Sequence, residues 1–538
     1  MSLTSACANA ACCARRSSPG SAQPGRRSRC FVASPSNVMP LENARTRHQW
    51  LAIWRAVIFA APLLLYTLTL HGDVEPADSG ELQIVAFTFG VAHPPGYPLF
   101  SLLAGAFMQA PLGSPYARTA FLSALASALA VALIGSAAQR VLERRGTAWV
   151  GSLLGGTLAA SMLAFSTTFW AQATTTNIRS LTAFFTALFV WISARAETRP
   201  EAHLWMWLAL ALGLGIAHHP SLVFSGAVIA ALVLLRLLRA KCAHPRALLS
   251  AVGMLLLTQL VWLYLPLRDA ARAPFAPGSL GTLEGLLDHM LARGFAGDMF
   301  AFANREALPE RLALVPSLMR FQFGAELRWA VLLGVLLTSL HLPALGIAWT
   351  LALLVHGFVT LTYRAPQTVE YALPAWVLLS AMMGTGWAAL LSARRAWARW
   401  MGWIGCGLML VWVWGEGLNR LPAFLDLADD RSVHQNAEAV LRAAPQASTI
   451  LAQWHEATPL WALQSIEQVR PDVRVEYVPP RGAQSYAETF AERAAALAPE
   501  RPTFVTSFFE DAFARAALFS RPLPHVPSWQ VSTQPFST

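Results

Sequence analysis

Asp78-Ser79-Gly80-Glu81, followed twelve residues on by His93-Pro94-Pro95-Gly96-Tyr97-Pro98, stands directly after the first long apolar run, Val57 to Leu70. Two carboxylates at the mouth of a membrane helix cost desolvation energy, so they are more often functional than incidental. Pro-Pro-Gly-Tyr-Pro cannot continue a helix, because proline lacks the N–H donor and restricts the residue before it. The pair reads as an acidic loop closed by a rigid turn at the water–lipid boundary. That geometry suits an enzyme whose substrate sits in the membrane.

The rest of the chain supports a membrane setting. Hydrophobic residues make up 55% and charged residues 13% of it, against about a quarter charged in ordinary soluble domains. Apolar runs of about 17–25 residues suffice to span a bilayer. About eleven runs approach that length: 52–70, 117–138, 147–165, 180–195, 203–218, 221–238, 248–267, 328–341, 343–361, 371–391 and 400–418, with 180–195 and 328–341 the shortest. The expected fold is mainly α, a polytopic membrane helix bundle followed by a small external α/β domain. Its parts are a basic, disordered tail over 1–50, a transmembrane domain over 51–420 with outer loops 71–116 and 268–328, and a soluble domain over 421–538.

Loop charges set the orientation. With the N-terminus inside, the short inner loops hold Arg140, Arg144 and Arg145, then Arg195 and Arg199, then Arg236, Arg239, Lys241 and Arg246, then Arg394, Arg395 and Arg399. The outer stretch from Leu70 to Tyr116 contains no Lys or Arg. Basic residues in short loops mark the cytoplasmic side, which places Asp78, Glu81 and His93 outside a cell (inner) membrane. Pro98 to Gln109 then reads as a re-entrant or interfacial helix, since making it a span would turn Arg140–Arg145 outward.

The formal charge of +10 does not indicate nucleic-acid binding, because residues 1–50 alone hold seven Arg against one Glu. This Ser-, Ala-, Pro- and Arg-rich segment has no apolar period and reads as an unstructured tail, or as an over-extended start with Met39 as the first residue. It holds Cys7, Cys12, Cys13 and Cys30 without paired metal-ligand spacing to a histidine. Cys242 and Cys406 lie near spans, so no disulfide framework is implied.

After about Leu418 hydropathy falls. β-rich runs at 448–451, 473–478 and 503–506 alternate with helical stretches at 432–443, 458–469, 486–497 and 510–518, which suggests a parallel α/β unit. It lacks a glycine-rich phosphate loop and is expected to be accessory. In the outer segment 268–328, Leu283–Leu291 and Leu308–Phe323 have the spacing of surface-lying helices.

The topology gathers the unusual polar residues on one side: Asp78, Glu81, His93 and Tyr97; Trp170, Asn177 and Arg179; His218 and His219; Arg268 and Asp269; Tyr363, Arg364, Glu370 and Tyr371. Each also has a simpler reading. Asp78 or Glu81 could cap a helix, His218 and His219 could be interfacial, and Arg268 and Arg364 could snorkel to headgroups. Independent accidents would have scattered over both faces.

Asp78-Ser79-Gly80-Glu81, His93-Pro94-Pro95-Gly96-Tyr97-Pro98-Leu99, then Ala117-Arg118 and Ser123-Ala124 resemble the GT-C superfamily of membrane glycosyltransferases, and within it the protein O-mannosyltransferase-like family. Phe169-Trp170, Gly213-Leu214-Gly215-Ile216-Ala217-His218-His219-Pro220, Leu265-Pro266-Leu267-Arg268 and Arg470-Pro471-Asp472-Val473 extend the resemblance over roughly residues 50–480. The family's loop after the Trp continues into Glu-Val-Tyr. Here it reads Asn177-Ile178-Arg179, which loses a charge and implies altered substrate choice or lost activity.

The resemblance implies a polyprenyl-phosphate-linked sugar, mannose or another hexose, as donor. It implies a hydroxyl acceptor outside the membrane, on protein Ser/Thr or on a glycan or lipid. A phosphate leaving group needs no general acid, so one carboxylate suffices as base; Asp78 is assigned that role, with Glu81 as the alternative. Arg268 and Arg364 are candidates for the leaving phosphate, since a planar guanidinium can bind two of its oxygens, with His218 or His219 as helpers. His93, Tyr97, Asn177, Arg179 and Glu370 complete the candidate substrate contacts. A divalent cation near Asp78 and Glu81 is compatible with the residues, but no ligand spacing requires one. The rival functions are a transporter or lipid flippase, and a catalytically silent relative acting as a binding protein.

Overall fold

A computed structural model describes residues 41–538 apart from 112, 366, 481–483, 525 and 537–538. The tail over 1–40, with its four cysteines and Met39, lies outside the described residues. The chain divides into two units, Met1–Ala52 and Ile53–Thr538. The first helix, α1 (Leu41–Leu68), begins ten residues inside the segment expected to be disordered. Its opening, Leu-Glu-Asn-Ala-Arg-Thr-Arg-His-Gln-Trp, contains neither Gly nor Pro and runs straight into the apolar stretch, so nothing breaks the helix.

The loop after α1 leads into α2 (Ala77–Thr88), which carries Asp78 in its first turn, and α3 (Pro98–Met108) follows the proline turn. At eleven residues, α3 is about 16 Å long, too short to cross a bilayer. Next come α4 (Pro115–Arg144), α5 (Trp149–Ala164), α6 (Thr167–Ala173), α7 (Arg179–Thr198), α8 (Leu204–His218), α9 (Leu222–Arg239) and α10 (Pro245–Gln259). α11 (Tyr264–Ala270) leads into the segment expected outside the membrane, which holds α12 (Leu283–Met290), α13 (Ala307–Ala313) and α14 (Val315–Phe323). Then follow α15 (Leu327–His341), α16 (Pro343–Thr362), α17 (Thr368–Tyr371), α18 (Leu373–Ala389) and α19 (Ala396–Asp429).

All eleven apolar runs are helical. Among the described residues, seven helical stretches are long and apolar enough to cross a membrane, and nine if each of two bent pairs, α5 with α6 and α13–α14 with α15, counts as one span. The expected eleven spans are therefore not reached by length and composition. Of the two left over, α7 carries Arg179 and Arg195 toward its ends and α8 has only fifteen residues. The chain is a multi-pass membrane protein. The C-terminal ends of α4, α7 and α9 are tied together by ion pairs from Glu197 to Arg145 (3.4 Å) and Arg236 (2.5 Å). These are the basic ends that the loop charges assign to the cytoplasm.

Phe169 and Trp170 are fully buried in the helix core. Trp170 stacks on Phe424 at 4.2 Å and donates its indole N–H to Thr69 Oγ1 at 2.9 Å. This pair of the resemblance motif is packing, worth about 0.5–1.5 kcal/mol for the stack beyond its burial.

Beyond α20 (Ser432–Ala443) lie β1 (Thr449–Ala452), α21 (Trp454–Ile466), β2 (Arg474–Tyr477), α22 (Tyr486–Leu497), β3 (Thr503–Val505), α23 (Glu510–Arg515), β4 (Phe519–Pro522) and β5 (Trp529–Ser532). The strand order is β2-β1-β3-β5-β4. The three expected strands pair in parallel around β1, while β5 joins β3 antiparallel and carries β4 at the edge. The sheet is thus mixed. The last two strands hide in a proline-rich stretch, and Pro522 is tolerated because β4 is an edge strand. α21 begins four residues earlier than its expected start at 458, because Pro459 lies inside the helix, where sequence reading places a break.

Candidate active site

The first loop is built around buried carboxylates. Glu81 is 1% exposed. Its Oε1 accepts the backbone N–H of His93 at 2.7 Å, and its Oε2 lies 2.5 Å from His93 Nδ1. One side chain of α2 thereby closes the loop that leads to α3. Burial pushes the His93 imidazole down, but the charge and hydrogen bond of Glu81 outweigh this and lift it to about 9. Glu75, buried one turn before α2, accepts the backbone N–H of Thr176 on both oxygens at 3.1 Å, fixing the α6–α7 loop against the first loop.

Gly96 sits at φ +88°, and a Cβ there would meet Leu265 Cδ2 at 2.8 Å and His289 Nε2 at 3.0 Å. Glycine is required both by the backbone angle and by the space. His289 of α12 also bonds Ala92 O at 3.1 Å, so the outer segment props the turn from beneath. Tyr97 packs its ring against His93 (5.4 Å) and His219 (5.7 Å).

Because His93 is raised above its ordinary 6.5, the stabilisation from its pairing with Glu81 is fully present below pH 6.5 and lost as pH rises through about 9. Thermal melts are therefore expected to show stability falling between pH 6.5 and 9, and Glu81→Gln should flatten that slope. A wild-type slope in Glu81→Gln would mean that another group titrates.

Opposite this loop stands Arg179, the first residue of α7 and 9% exposed. It pairs with Glu370 at 3.0 Å, donates to Gln367 Oε1 at 3.2 Å and lies over the Tyr371 ring at 4.9 Å. Burial raises the Glu370 carboxyl, and Arg179 opposes that rise. Asp78, Tyr97 and Tyr371 are all within electrostatic reach of the guanidinium. Burial first, then His218 and Arg179, push His219 down to about 3, so it is a neutral imidazole facing Tyr97.

The structure thus brings together Asp78, Glu81, His93, Tyr97, Arg179, His219 and Glu370. It does not add Arg268 or Arg364, the arginines expected to meet the leaving phosphate. Arg268 donates to Phe89 O (2.6 Å) and Thr88 O (3.1 Å). It satisfies the last carbonyls of α2, about 16 Å along the helix from Asp78. Arg364 is 63% exposed and paired with Asp298 at 2.6 Å.

Two further candidates have internal duties. Asn177 Oδ1 accepts the Ser180 N–H at 2.9 Å and its amide donates to Gln172 O and Thr175 O, so it caps α7. His218 is fully buried and bonded to Ile178 O at 2.9 Å, holding α8 on α7.

Asp78, by contrast, is half-buried, and its Oδ1 accepts the indole N–H of Trp454 at 2.9 Å. The segment expected to be accessory therefore reaches the loop. Asp73 meets His434 at 2.7 Å and Tyr116 donates to Glu467 at 2.7 Å. A Cβ on Gly80 would lie 2.9 Å from Thr458 Oγ1. Trp454, Gln367 and His356, which bonds Tyr371 O at 2.9 Å, carried no motif in the sequence.

Ligand atoms of Asp78, Glu81 and His93 lie within 4.8 Å of one another, the spread of a metal site. Glu81 Oε1 and Oε2 accept the His93 backbone N–H and meet His93 Nδ1, so a cation bound here would share these groups with the latch that shapes the loop. No step is derived through one.

The model of the Protein O-mannosyl-transferase TMEM260 N-terminal domain matches residues 78–243. The Protein O-mannosyl-transferase TMEM260 of Mus musculus is 30% identical over 255 residues, 46% of this chain and 35% of that protein. The Dictyostelium discoideum protein of the same name is 31% identical over 136 residues, 25% of this chain and 16% of that protein. The chain spans about a third of the length of the mouse relative. ArnT from Cupriavidus metallidurans bound to undecaprenyl phosphate superposes with a TM-score of 0.58 at 13% identity, covering 89% of this chain and 97% of that one. Its apo state gives a TM-score of 0.52. Residues 78–243 are thus similar to the N-terminal domain of the TMEM260 protein O-mannosyl-transferases, and the chain shares its fold with ArnT.

Proposed function

We propose that this protein is a membrane glycosyltransferase that moves a sugar, mannose or another hexose, from a polyprenyl-phosphate donor to an acceptor hydroxyl on the outer face of the membrane. The observation that carries this reading is a half-buried carboxylate, Asp78, in the first turn of α2, with a buried guanidinium, Arg179, in the first turn of α7 held by Glu370 and close enough to feel the charge of Asp78. Asp78 takes the proton of the acceptor hydroxyl, whose oxygen attacks the anomeric carbon. The bond from that carbon to the phosphate oxygen breaks, and the lipid phosphate leaves with its charge against Arg179. Preorganised charge at the leaving group is an effective source of rate. Direct displacement inverts the anomeric configuration.

Arg179 replaces Arg268 and Arg364 as the phosphate partner in this account. Glu370, Gln367 and Tyr371 hold its guanidinium in place, and Glu81 acts through His93 to shape the loop. The mouse and Dictyostelium relatives' names support a Ser/Thr hydroxyl as acceptor, and the ArnT complex supports a polyprenyl phosphate carrier. The basic ends of α4, α7 and α9 support a cytoplasmic N-terminus and an external C-terminal sheet segment.

The test supplies purified full-length protein with undecaprenyl-phosphate-linked radiolabelled mannose and a Ser/Thr-rich peptide. Label is expected on the peptide in α-linkage from a β-linked donor. Transfer with retained configuration, or none from any hexosyl phosphate lipid by a folded preparation, would overturn the proposal.

A further inference from the structure

We infer that Trp454 is a positioning residue for Asp78, so that the C-terminal segment completes the transfer site. This rests on the reading of Asp78 as the base. The family match ends at residue 243, far upstream of this tryptophan.

The torsion that turns a carboxylate about its last bond is broad and roughly two-fold, so a lone Asp at a helix start does not hold one orientation. Among the described residues, the hydrogen bond from Trp454 Nε1 at 2.9 Å is the one made to the Asp78 carboxylate. An indole suits this task for three reasons. It is a donor only, so it cannot compete for the acceptor's proton. It carries no charge, so it orients the carboxylate without neutralising it as an arginine would. It engages Oδ1 and leaves the lone pairs of the other oxygen for an incoming hydroxyl.

The indole is itself held. Its ring meets Tyr477 at 5.1 Å and Trp461 at 6.1 Å, and Phe275 of the outer segment lies 5.5 Å beyond Trp461. At the next turn, Thr458 closes on Gly80 of α2, where a Cβ would lie 2.9 Å from Thr458 Oγ1. The Asp73–His434 and Tyr116–Glu467 bonds fasten the same segment to the first loop on another side. Reacting groups need placement within a fraction of an ångström, and small misplacements cost large factors in rate.

The test compares wild type, Trp454→Phe and Asp78→Asn as full-length chains in the labelled-mannose assay. Trp454→Phe keeps an aromatic ring against Trp461 and Tyr477 but removes the donor. The expected result is a kcat lower by about 10–100-fold, the worth of a hydrogen bond to a charged group, with the KM for the donor unchanged. Benzothienylalanine at position 454, with sulfur in place of N–H and the indole shape kept, should reproduce the lowered kcat at unchanged KM and decides the matter if Trp454→Phe does not fold. A wild-type kcat, or a lowered kcat with an equally altered KM for the donor, overturns the positioning role. If that happens while Asp78→Asn is inactive, the base stands and the inference alone fails. If Asp78→Asn transfers normally, the base reading fails and this inference with it.

Discussion

Asp78→Asn is expected to lower sugar transfer by about 10²–10⁴-fold, the usual contribution of a general base, while leaving polyprenyl phosphate binding close to wild type. The amide keeps the size of the carboxylate and can still accept the Trp454 N–H, but it cannot take a proton from an acceptor. Donor binding should hold, since removing a negative charge does not weaken the hold on a phosphate. Glu81→Gln should behave differently. Both Glu81 oxygens are committed to His93, so its loss acts through the shape and stability of the loop. Near-normal transfer by Asp78→Asn together with a dead Glu81→Gln would show that the wrong carboxylate was chosen. If neither change mattered in an active preparation, the loop would not be catalytic.

Replacing Arg179 is the second large effect. Arg179→Gln should raise the KM for the donor and lower kcat/KM by about 10²–10³-fold, in line with the loss of one preorganised charge-stabilising group. The substitution also strands Glu370, its 3.0 Å partner, and a partly buried carboxylate without its cation destabilises the fold. The double variant Arg179→Gln/Glu370→Gln separates the two effects. It should recover thermal stability without recovering transfer. Recovery of both would reduce Arg179 to a structural ion pair. Arg268→Gln should lower stability, by uncapping α2, and leave the KM for the donor unchanged.

The membrane bundle was legible because apolar length is a local property: each of the eleven runs is helical, even where a helix is too short or too charged to qualify as a span. The rigid turn was legible because proline and glycine fix the backbone locally, as Gly96 at φ +88° shows; the acidic stretch before it, expected to be a loop, forms the first turns of α2. The choice among arginines was not legible. Arg268, Arg364 and Arg179 all follow from the same charge map, and only three-dimensional contact shows that the first caps α2, the second pairs with Asp298 and the third is buried against Glu370 and Tyr371. Asn177 was read as a change at a substrate contact, whereas its amide is consumed by capping α7. Trp454 was invisible for a similar reason. It stands 376 residues from Asp78, in the first turn of a helix whose start Pro459 disguised. β4 and β5 were lost in a proline-rich stretch whose pairing depends on the edge position of β4 rather than on strand propensity.

The site itself is tested most directly by a cryo-EM map of the full-length protein saturated with undecaprenyl phosphate. The account predicts phosphate density within hydrogen-bonding distance of the Arg179 guanidinium, on the side facing Asp78, with the lipid tail leaving between helices into the bilayer. Phosphate density seated at Arg268 or Arg364, or away from the Asp78 loop altogether, would contradict it.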